Sequence, residues 1–290
     1  REFLMKDAYS FDVDYNCSIK SYNIMFIAYM QLFKKMGLKA IPMKADTGPI
    51  GGDLSHEFII IADTGESEVY VDKQLLNIEG SFLNINYNDD LQEEVNKFTS
   101  LYAATEEKHD ASNFDNKNNT LIKTRGIEVG HIFHFGQKYS LPMRATISNS
   151  VGENIPVFMG SYGVGLSRLV GAVIEANHDQ KGIIWPKEVT PWDYNIINLK
   201  CGDIDCDKIC SELYNAMNNN ALKVLYDDTD ERAGAKLARA DLIGLPYQII
   251  IGPKGIKDQL YDLKCRKSGD ISRLSYHELL NFVQTNIKRT

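Results

Sequence analysis

From residue 18 to residue 36 the apolar side chains Ile19, Tyr22, Met25, Phe26, Tyr29, Met30, Phe33 and Met36 recur at intervals of three and four, and Gly37 follows at a natural stop. The spacing predicts an amphipathic helix with one face in a core. Residues 39–45 read as a short strand, followed by a glycine-rich loop at 47–52. Two apolar runs, 58–62 and 68–71, flank Asp63-Thr64-Gly65 and predict a β-hairpin. Residues 77–120 carry little periodicity beyond a helix pattern near 90–102, and they end in a polar run. They read as a surface insertion with a flexible exit. Strand patterns resume at 127–135 and 155–159, and the second is expected to enter a glycine turn at 160–165 and then a helix from 166 to about 177. Beyond Pro186 and Pro191, strands at 194–199, 222–226 and 247–251 alternate with helices at 208–217 and 233–243. The pattern predicts an α+β chain: an antiparallel sheet with flanking helices over 1–190, then a small α/β domain with a largely parallel sheet over 191–290.

Composition supports two folded domains. A chain of 290 residues with 43% hydrophobic and 24% charged side chains exceeds the usual single-domain length of about 150 and excludes disorder, collagen and a pure coiled coil. Five cysteines with no charged-then-apolar leader point to a reducing, cytoplasmic setting. The longest apolar runs are strand-sized, well short of the roughly 18 residues that span a bilayer, so no membrane partner is expected. The net charge of -7 argues against a lysine-coated, non-specific nucleic-acid binder, and no DNA partner is expected. That acidity is confined to residues 1–191, which hold 18 basic against 25 acidic side chains, while the rest holds 14 of each. Arg1 opens directly into a strand-like run, which is expected to lie inside a domain rather than at its start.

Several local patterns could carry chemistry. The opening run sets Arg1, Phe3, Met5, Asp7 and Tyr9 on one strand face, a mixed wall that suits either a pocket or a half-buried strand. Gly160, Gly163 and Gly165 followed by Arg168 at a helix start suit close approach to a phosphate, or a tight turn with a solvated arginine. Their spacing fits neither the dinucleotide fingerprint nor the phosphate loop. His131 and His134, three apart on a strand, face opposite sides and cannot share a metal, whereas His131, Phe133 and Phe135 share a face. Glu128 joins that face only if the strand bulges. Cys201, Cys206 and Cys210 lack zinc spacing and read as core or surface thiols. His56-Glu57 could form an acid/base pair or position a substrate, and Asp227-Asp228 with Arg232, Lys236 and Arg239 could meet RNA or form a solvated helix face.

Taken in order, residues 1–11 (REFLMKDAYSF), 45–52 (ADTGPIGG) with 55–58 (SHEF), 126–133 (GIEVGHIF), 160–168 (GSYGVGLSR), 182–186 (GIIWP) and 227–246 resemble the bacterial prolyl-tRNA synthetases. The likeness covers almost the whole chain outside 77–120. It implies a class II aminoacyl-tRNA synthetase, a ligase that uses ATP and Mg2+ to convert proline to prolyl-adenylate and passes the prolyl group to tRNA(Pro), working as a homodimer. On this resemblance residues 1–11 are the second strand of motif 2, with Phe3 on adenine and Met5 beside proline. Residues 160–168 are motif 3, with Gly163 and Gly165 at ATP and Arg168, the catalytic cation, on the γ-phosphate. His131, Phe133, Gly160 and Ser161 line the proline pocket, and Ser161 stands where relatives often carry cysteine. Glu128 is the implied magnesium ligand, and Asp228, Arg232 and Lys236 lie in the implied anticodon-recognition segment.

Two departures from the family pattern set further expectations. Motif 1, the first strand of motif 2 and the loop that grips the proline amine do not occur in the sequence, so these 290 residues are expected not to form prolyl-adenylate alone. The short 77–120 region replaces the large editing domain of many relatives, so alanyl-tRNA is expected to go uncleared in cis, since a pocket for proline rejects smaller alanine by only about 1–3 kcal/mol. The alternative reading is a non-catalytic, synthetase-like tRNA-binding paralogue or subunit.

Overall fold

The computed structural model describes residues 2–77, 84–111, 120–220 and 222–287. Arg1 of the opening strand face and most of the polar run near 111–120 lie outside the described residues. Two compact units are present, Arg1–Ala176 and Asn177–Thr290.

The first unit is organised by a seven-stranded sheet. Its strands are β1 (Met5–Asp12), β2 (Ala40–Lys44), β3 (Leu54–Ile61), β4 (Ser67–Asp72), β5 (Ala103–Thr105), β6 (Leu121–Gly136) and β9 (Phe158–Gly165), in the order β1-β9-β6-β3-β2-β5-β4. All pairings are antiparallel except the single β2–β5 bridge. A small hairpin of β7 (Thr146–Ser148) and β8 (Asn154–Pro156), preceded by the one-turn helix α3 (Ser140–Met143), stands apart.

Helix α1 (Tyr15–Lys35) packs on this sheet. It begins one turn ahead of the apolar periodicity because the Asp14 carboxylate accepts the amide of Cys17 at 2.7 Å, an N-cap that hydrophobic spacing does not reveal. It ends at Met36, and Gly37 takes the left-handed φ of 74° that releases the chain. Phe26 and Phe33 meet Phe58 of β3 edge-on or tilted at 5.6 and 5.7 Å. All three rings are buried, each contributing about 1.5–3 kcal/mol by leaving water.

Three expectations about this unit are corrected. The runs at 58–62 and 68–71 form strands but not a hairpin with one another. Each pairs separately with β6, β4 along residues 121–126 and β3 along 126–134. The link between them is held to β6 instead: Arg125 donates its Nε to the Gly65 carbonyl at 2.6 Å, and a Cβ on Gly65 would sit 2.4 Å from the Gly126 nitrogen. The glycine turn at 160–165 is extended strand, paired with β1 on one side and β6 on the other, and α4 (Leu166–Ala176) follows it directly. The region read as a surface insertion contributes to the core: α2 (Gln92–Thr99) buries Val95 and Phe98, and Phe98 lies 6.1 Å from Phe26.

The second unit is a five-stranded sheet of order β13-β12-β14-β15-β16: β12 (Tyr194–Asn198), β13 (Val224–Asp227), β14 (Tyr247–Ile251), β15 (Tyr261–Cys265) and β16 (Ile271–Leu274). The first three are parallel, joined through α5 (Ile204–Asn218) and α6 (Ala233–Ile243), while β15 and β16 add antiparallel. The sheet is therefore mixed rather than largely parallel. Short helix α7 (Pro253–Asp258) precedes β15, and α8 (Tyr276–Ile287) follows β16 and buries Leu279 and Val283 in the core. Residues 177–185 belong with this unit, ahead of the boundary near 190 suggested by the prolines. The two-residue strands β10 (His178–Asp179) and β11 (Gly182–Ile183) pair with each other, and the buried Arg266 guanidinium grips the Asp179 carboxylate with two bonds of 2.8 and 2.6 Å.

Lys236 departs most from expectation. Rather than facing RNA, its side chain is completely buried, donating to the carbonyls of Asn198 (2.5 Å) and Asp227 (3.2 Å) and lying 3.4 Å from the Asp227 carboxylate. A helix position that looks cationic and solvated in sequence is an internal tie between β12, β13 and α6. Replacing Lys236→Met keeps most of its volume but leaves two buried carbonyls without their donor and a carboxylate short of a cation, and should destabilise this unit by about 3 kcal/mol. Urea denaturation followed by tryptophan fluorescence measures it, because Trp185 and Trp192 are the only tryptophans and both lie here. A change of under about 0.5 kcal/mol, the usual size for a surface substitution, would contradict the buried role.

Candidate active site

The strands β1, β9 and β6 lie side by side in register, so their side chains form rungs. Tyr9 is opposite Ser161, which is opposite Phe133; Asp7 is opposite Gly163, which is opposite His131. Successive strand residues alternate faces, so Ser161, Gly163 and Gly165 all point the same way. Serine and two glycines make a low floor, and the larger side chains of β1 and β6 stand as walls. The result is a cavity of about 750 Å³ lined by Phe3, Met5, Asp7, Tyr9, His131, Phe133, Ser161, Gly163, Gly165 and Arg168. A Cβ on Gly163 would lie 2.9 Å from the Met5 methyl, so any side chain there would displace the end of Met5 and take up space in the cavity. Gly160 is not among the lining residues. It pairs with Ser10 and His134 on the opposite sheet face, where a Cβ would meet the Tyr162 hydroxyl.

His131 is fixed from three sides. Its ring stacks on Phe133 at 3.8 Å, its Nε2 is bonded to the Ser55 hydroxyl at 2.5 Å, and its Nδ1 faces Glu57 at 3.7 Å and Glu128 at 3.6 Å. Glu128 reaches this face because β6 bulges: Phe58 pairs with Gly130 and the next residue, Ile59, with Glu128, leaving Val129 as the extra residue. That register shift is the condition under which the sequence places Glu128 beside His131.

Arg168, on the first turn of α4, donates to the Glu128 carboxylate and carbonyl at 3.2 Å each and pairs with Glu66 at 3.2 Å. Burial pushes Glu128 up, but the bond and charge of His131, with Arg168, outweigh it and hold that carboxyl below its ordinary pKa. Glu57 lacks such close compensation: burial, then the negative charge of Glu128, raises it to about 7. The ligand atoms of Glu57, Glu128 and His131 all lie within 4.8 Å of one another, a set of two oxygens and a nitrogen.

His56 and Glu57 are not an acid/base pair. As neighbours on β3 they face opposite sides of the sheet, Glu57 towards His131 and His56 into the core against Tyr22, whose hydroxyl is 2.7 Å from Nδ1. Burial lowers the His56 pKa to about 4.

The sequence did not reveal how the glycine loop reaches the cavity. Gly51 and Gly52 take left-handed φ values of 74° and 114°. Lys138 and Tyr139 both donate to the Ile50 carbonyl, at 2.5 and 2.6 Å, and Ile50 becomes part of the cavity wall. The loop's end is fastened by Asp53, whose carboxylate is 2.7 Å from Nδ1 of the fully buried His134, which in turn contacts Ser18 at 2.7 Å. The glycines mark such a loop in sequence, but nothing in the spacing links Asp53 to His134. In the second unit, Asp228 is exposed in the loop after β13 and Arg232 is exposed at the N-cap of α6.

Residues 1–177 match the tRNA synthetase class II core domain (G, H, P, S and T). The chain belongs to that family. Its class II core match ends within one residue of the first compact unit, and residues 193–286 match an anticodon binding domain. A proline--tRNA ligase from Caulobacter vibrioides is 56% identical over 283 residues, 97% of this chain and 64% of that protein. One from Maricaulis maris is 55% identical over 276 residues, 95% of this chain and 62% of that protein. The chain thus spans just under two thirds of the length of these relatives. In fold it resembles a Cryptosporidium parvum prolyl-tRNA synthetase crystallised with halofuginone and AMPPNP, with a TM-score of 0.69 at 14% identity, covering all of this chain and 49% of that one. Among the described residues no helix is long and apolar enough to cross a membrane.

The raised pKa of Glu57 has a measurable consequence. Between about pH 4.5 and 7 the folded protein retains a proton that the unfolded chain releases, so stability falls as pH rises through this window. In metal-free buffer the loss attributable to Glu57 should be about 2–3 kcal/mol, and Glu57→Gln should remove it. Chemical denaturation of both proteins at a series of pH values measures the difference, and identical pH slopes would refute it.

Proposed function

We propose that these residues supply the ATP-, proline- and anticodon-facing parts of a proline--tRNA ligase of the cytoplasm, an enzyme that acts as a homodimer to form prolyl-adenylate from ATP and proline and to charge tRNA(Pro). The observation that carries this reading is the convergence of Phe3, Met5, Phe133, Ser161 and Arg168 on a single cavity, in a chain 54–56% identical to proline--tRNA ligases.

In this reading the exposed ring of Phe3 stacks on adenine, while Gly163 and Gly165 let the nucleotide approach the sheet backbone. Arg168 takes the γ-phosphate with its planar guanidinium, exchanging its bonds to Glu128 and Glu66 for charge-assisted bonds to phosphate oxygens. Phe133, stacked on His131, closes the proline pocket against larger side chains, and Met5 and Ser161 complete it. Gly160 contributes indirectly: without a side chain it lets Tyr162 seat beneath the floor. Catalysis rests on alignment and charge: these groups hold the proline carboxylate in line with the α-phosphate, and no protein nucleophile is required.

Glu128 and Glu57 suit a hard divalent cation such as Mg2+ through their carboxylates, with His131 better placed to orient Glu128 than to bind magnesium. Bound there, Mg2+ would neutralise charge on the ATP phosphates. In the second unit Asp228 and Arg232 are exposed where unpaired anticodon bases could be read, and Lys236 supports that segment from within.

A sulfamoyl analogue of prolyl-adenylate should raise the melting temperature where the threonyl analogue does not. Arg168→Ala should weaken ATP binding by about tenfold or more while leaving the analogue, which has no β- or γ-phosphate, within about twofold, as read by calorimetry. No stabilisation by the prolyl analogue, or equal loss of both ligands in Arg168→Ala, would reject the assignment.

A further inference from the structure

Behind β3, on the face away from the candidate active site, the first unit holds a second and larger cavity of about 1030 Å³ between α1, α2 and the strands β2, β3 and β5. Its wall includes His56 and Tyr22, and its charged residues are Lys20, Lys44, Lys108 and Asp90. Three lysines and one aspartate line it, with Lys108 also 3.6 Å from the exposed Asp46 carboxylate, in a unit that is otherwise acidic.

His56 is the built element. It is 8% exposed, and its Nδ1 is bonded to the buried hydroxyl of Tyr22. That hydroxyl has no other acceptor among the described residues, so Tyr22 donates and the proton of the neutral imidazole sits on Nε2. The depressed pKa, caused by burial and then by Lys44, keeps the ring neutral. Nε2–H has no partner among the described residues, yet it is not sealed from solvent. A largely buried ring thus offers a water-accessible donor in the wall of a cavity that also carries three lysines, where a ligand oxygen can take the place of water.

We propose that this cavity is a binding site for a small phosphorylated anion, with His56 Nε2–H donating to a phosphate oxygen and Lys20, Lys44 and Lys108 supplying the counter-charge. An anion is required by the donor set, because neutral imidazole N–H and ammonium groups offer hydrogens and accept none. Several phosphate oxygens match three separated cations better than one carboxylate does. The site is independent of the adenylate reading, since it uses none of the residues of the first cavity.

The test is calorimetric titration of the protein with inorganic tripolyphosphate, with nitrogen-15 spectra of the histidine rings. Wild type should bind tripolyphosphate with a saturable shift of the His56 signals, which reports on this cavity whatever Arg168 takes in the other. The double variant Lys44→Ala/Lys108→Ala, exposed positions that leave the core intact, should bind about tenfold or more weakly, and Arg168→Ala should bind within about twofold of wild type. Absence of binding, or binding lost in Arg168→Ala but retained in the double variant, would overturn the proposal. Because the prolyl-analogue assay reports on the other cavity, either assignment can fail without the other.

Discussion

The constraint on which the first unit depends is the pairing of β9 between β1 and β6 with almost no side-chain volume on one face. A strand inside a sheet normally carries β-branched or aromatic residues that pack both ways. Here one face of β9 presents Met159 and then only Ser161, Gly163 and Gly165, while the other presents Tyr162 and Val164, which are buried. The strand is held by its ladders and by one face alone, and the cavity on its other face is what that asymmetry creates. Glycine within a strand weakens it. Two long partners offset the weakness, β1 in continuous register and β6 along residues 130–134 before its register shifts, and α1 presses on the sheet from behind.

Charge around the cavity is balanced locally. Two carboxylates, a histidine and an arginine share a few ångströms, and each answers to its nearest neighbour: Glu128 is held ionised by His131 and Arg168, whereas Glu57 tends toward the neutral acid. Two like charges so close and partly buried cannot both be fully ionised without cost. The same logic governs the second unit, where Lys236 and Arg239 converge on Asp227 and Arg266 on Asp179. In both units the charged residues closest to the chemistry or to the core act on each other first.

Much of the architecture was legible because it rests on local periodicity. Helices α1, α4, α5 and α6 follow from spacing and stops, and the parallel strands β12, β13 and β14 follow from alternation with helices. Elements without strong periodicity were harder. The final strands β15 and β16 carry mixed sequences, and α2 hides in a polar stretch because only one narrow face, Val95 and Phe98, is buried. Most of the residues that line the cavity were legible as a set, from ordered motifs shared with a known family, whereas Gly160 fell on the other face of the sheet. One assignment failed because of burial: Lys236 has the chemistry of an RNA contact, but its side chain is internal.

The sequence by itself determined the α+β class, the succession of elements and the alternation that puts Phe3, Met5, Asp7 and Tyr9 on one face, because these depend on near neighbours and fixed backbone periods. Only the tertiary structure decided that 58–62 and 68–71 pair with β6 rather than with each other, that a bulge at Val129 turns Glu128 toward His131, and that Lys236 is internal. Each of those depends on contacts between residues far apart in the chain, where register and burial are set by the whole packing rather than by any local spacing.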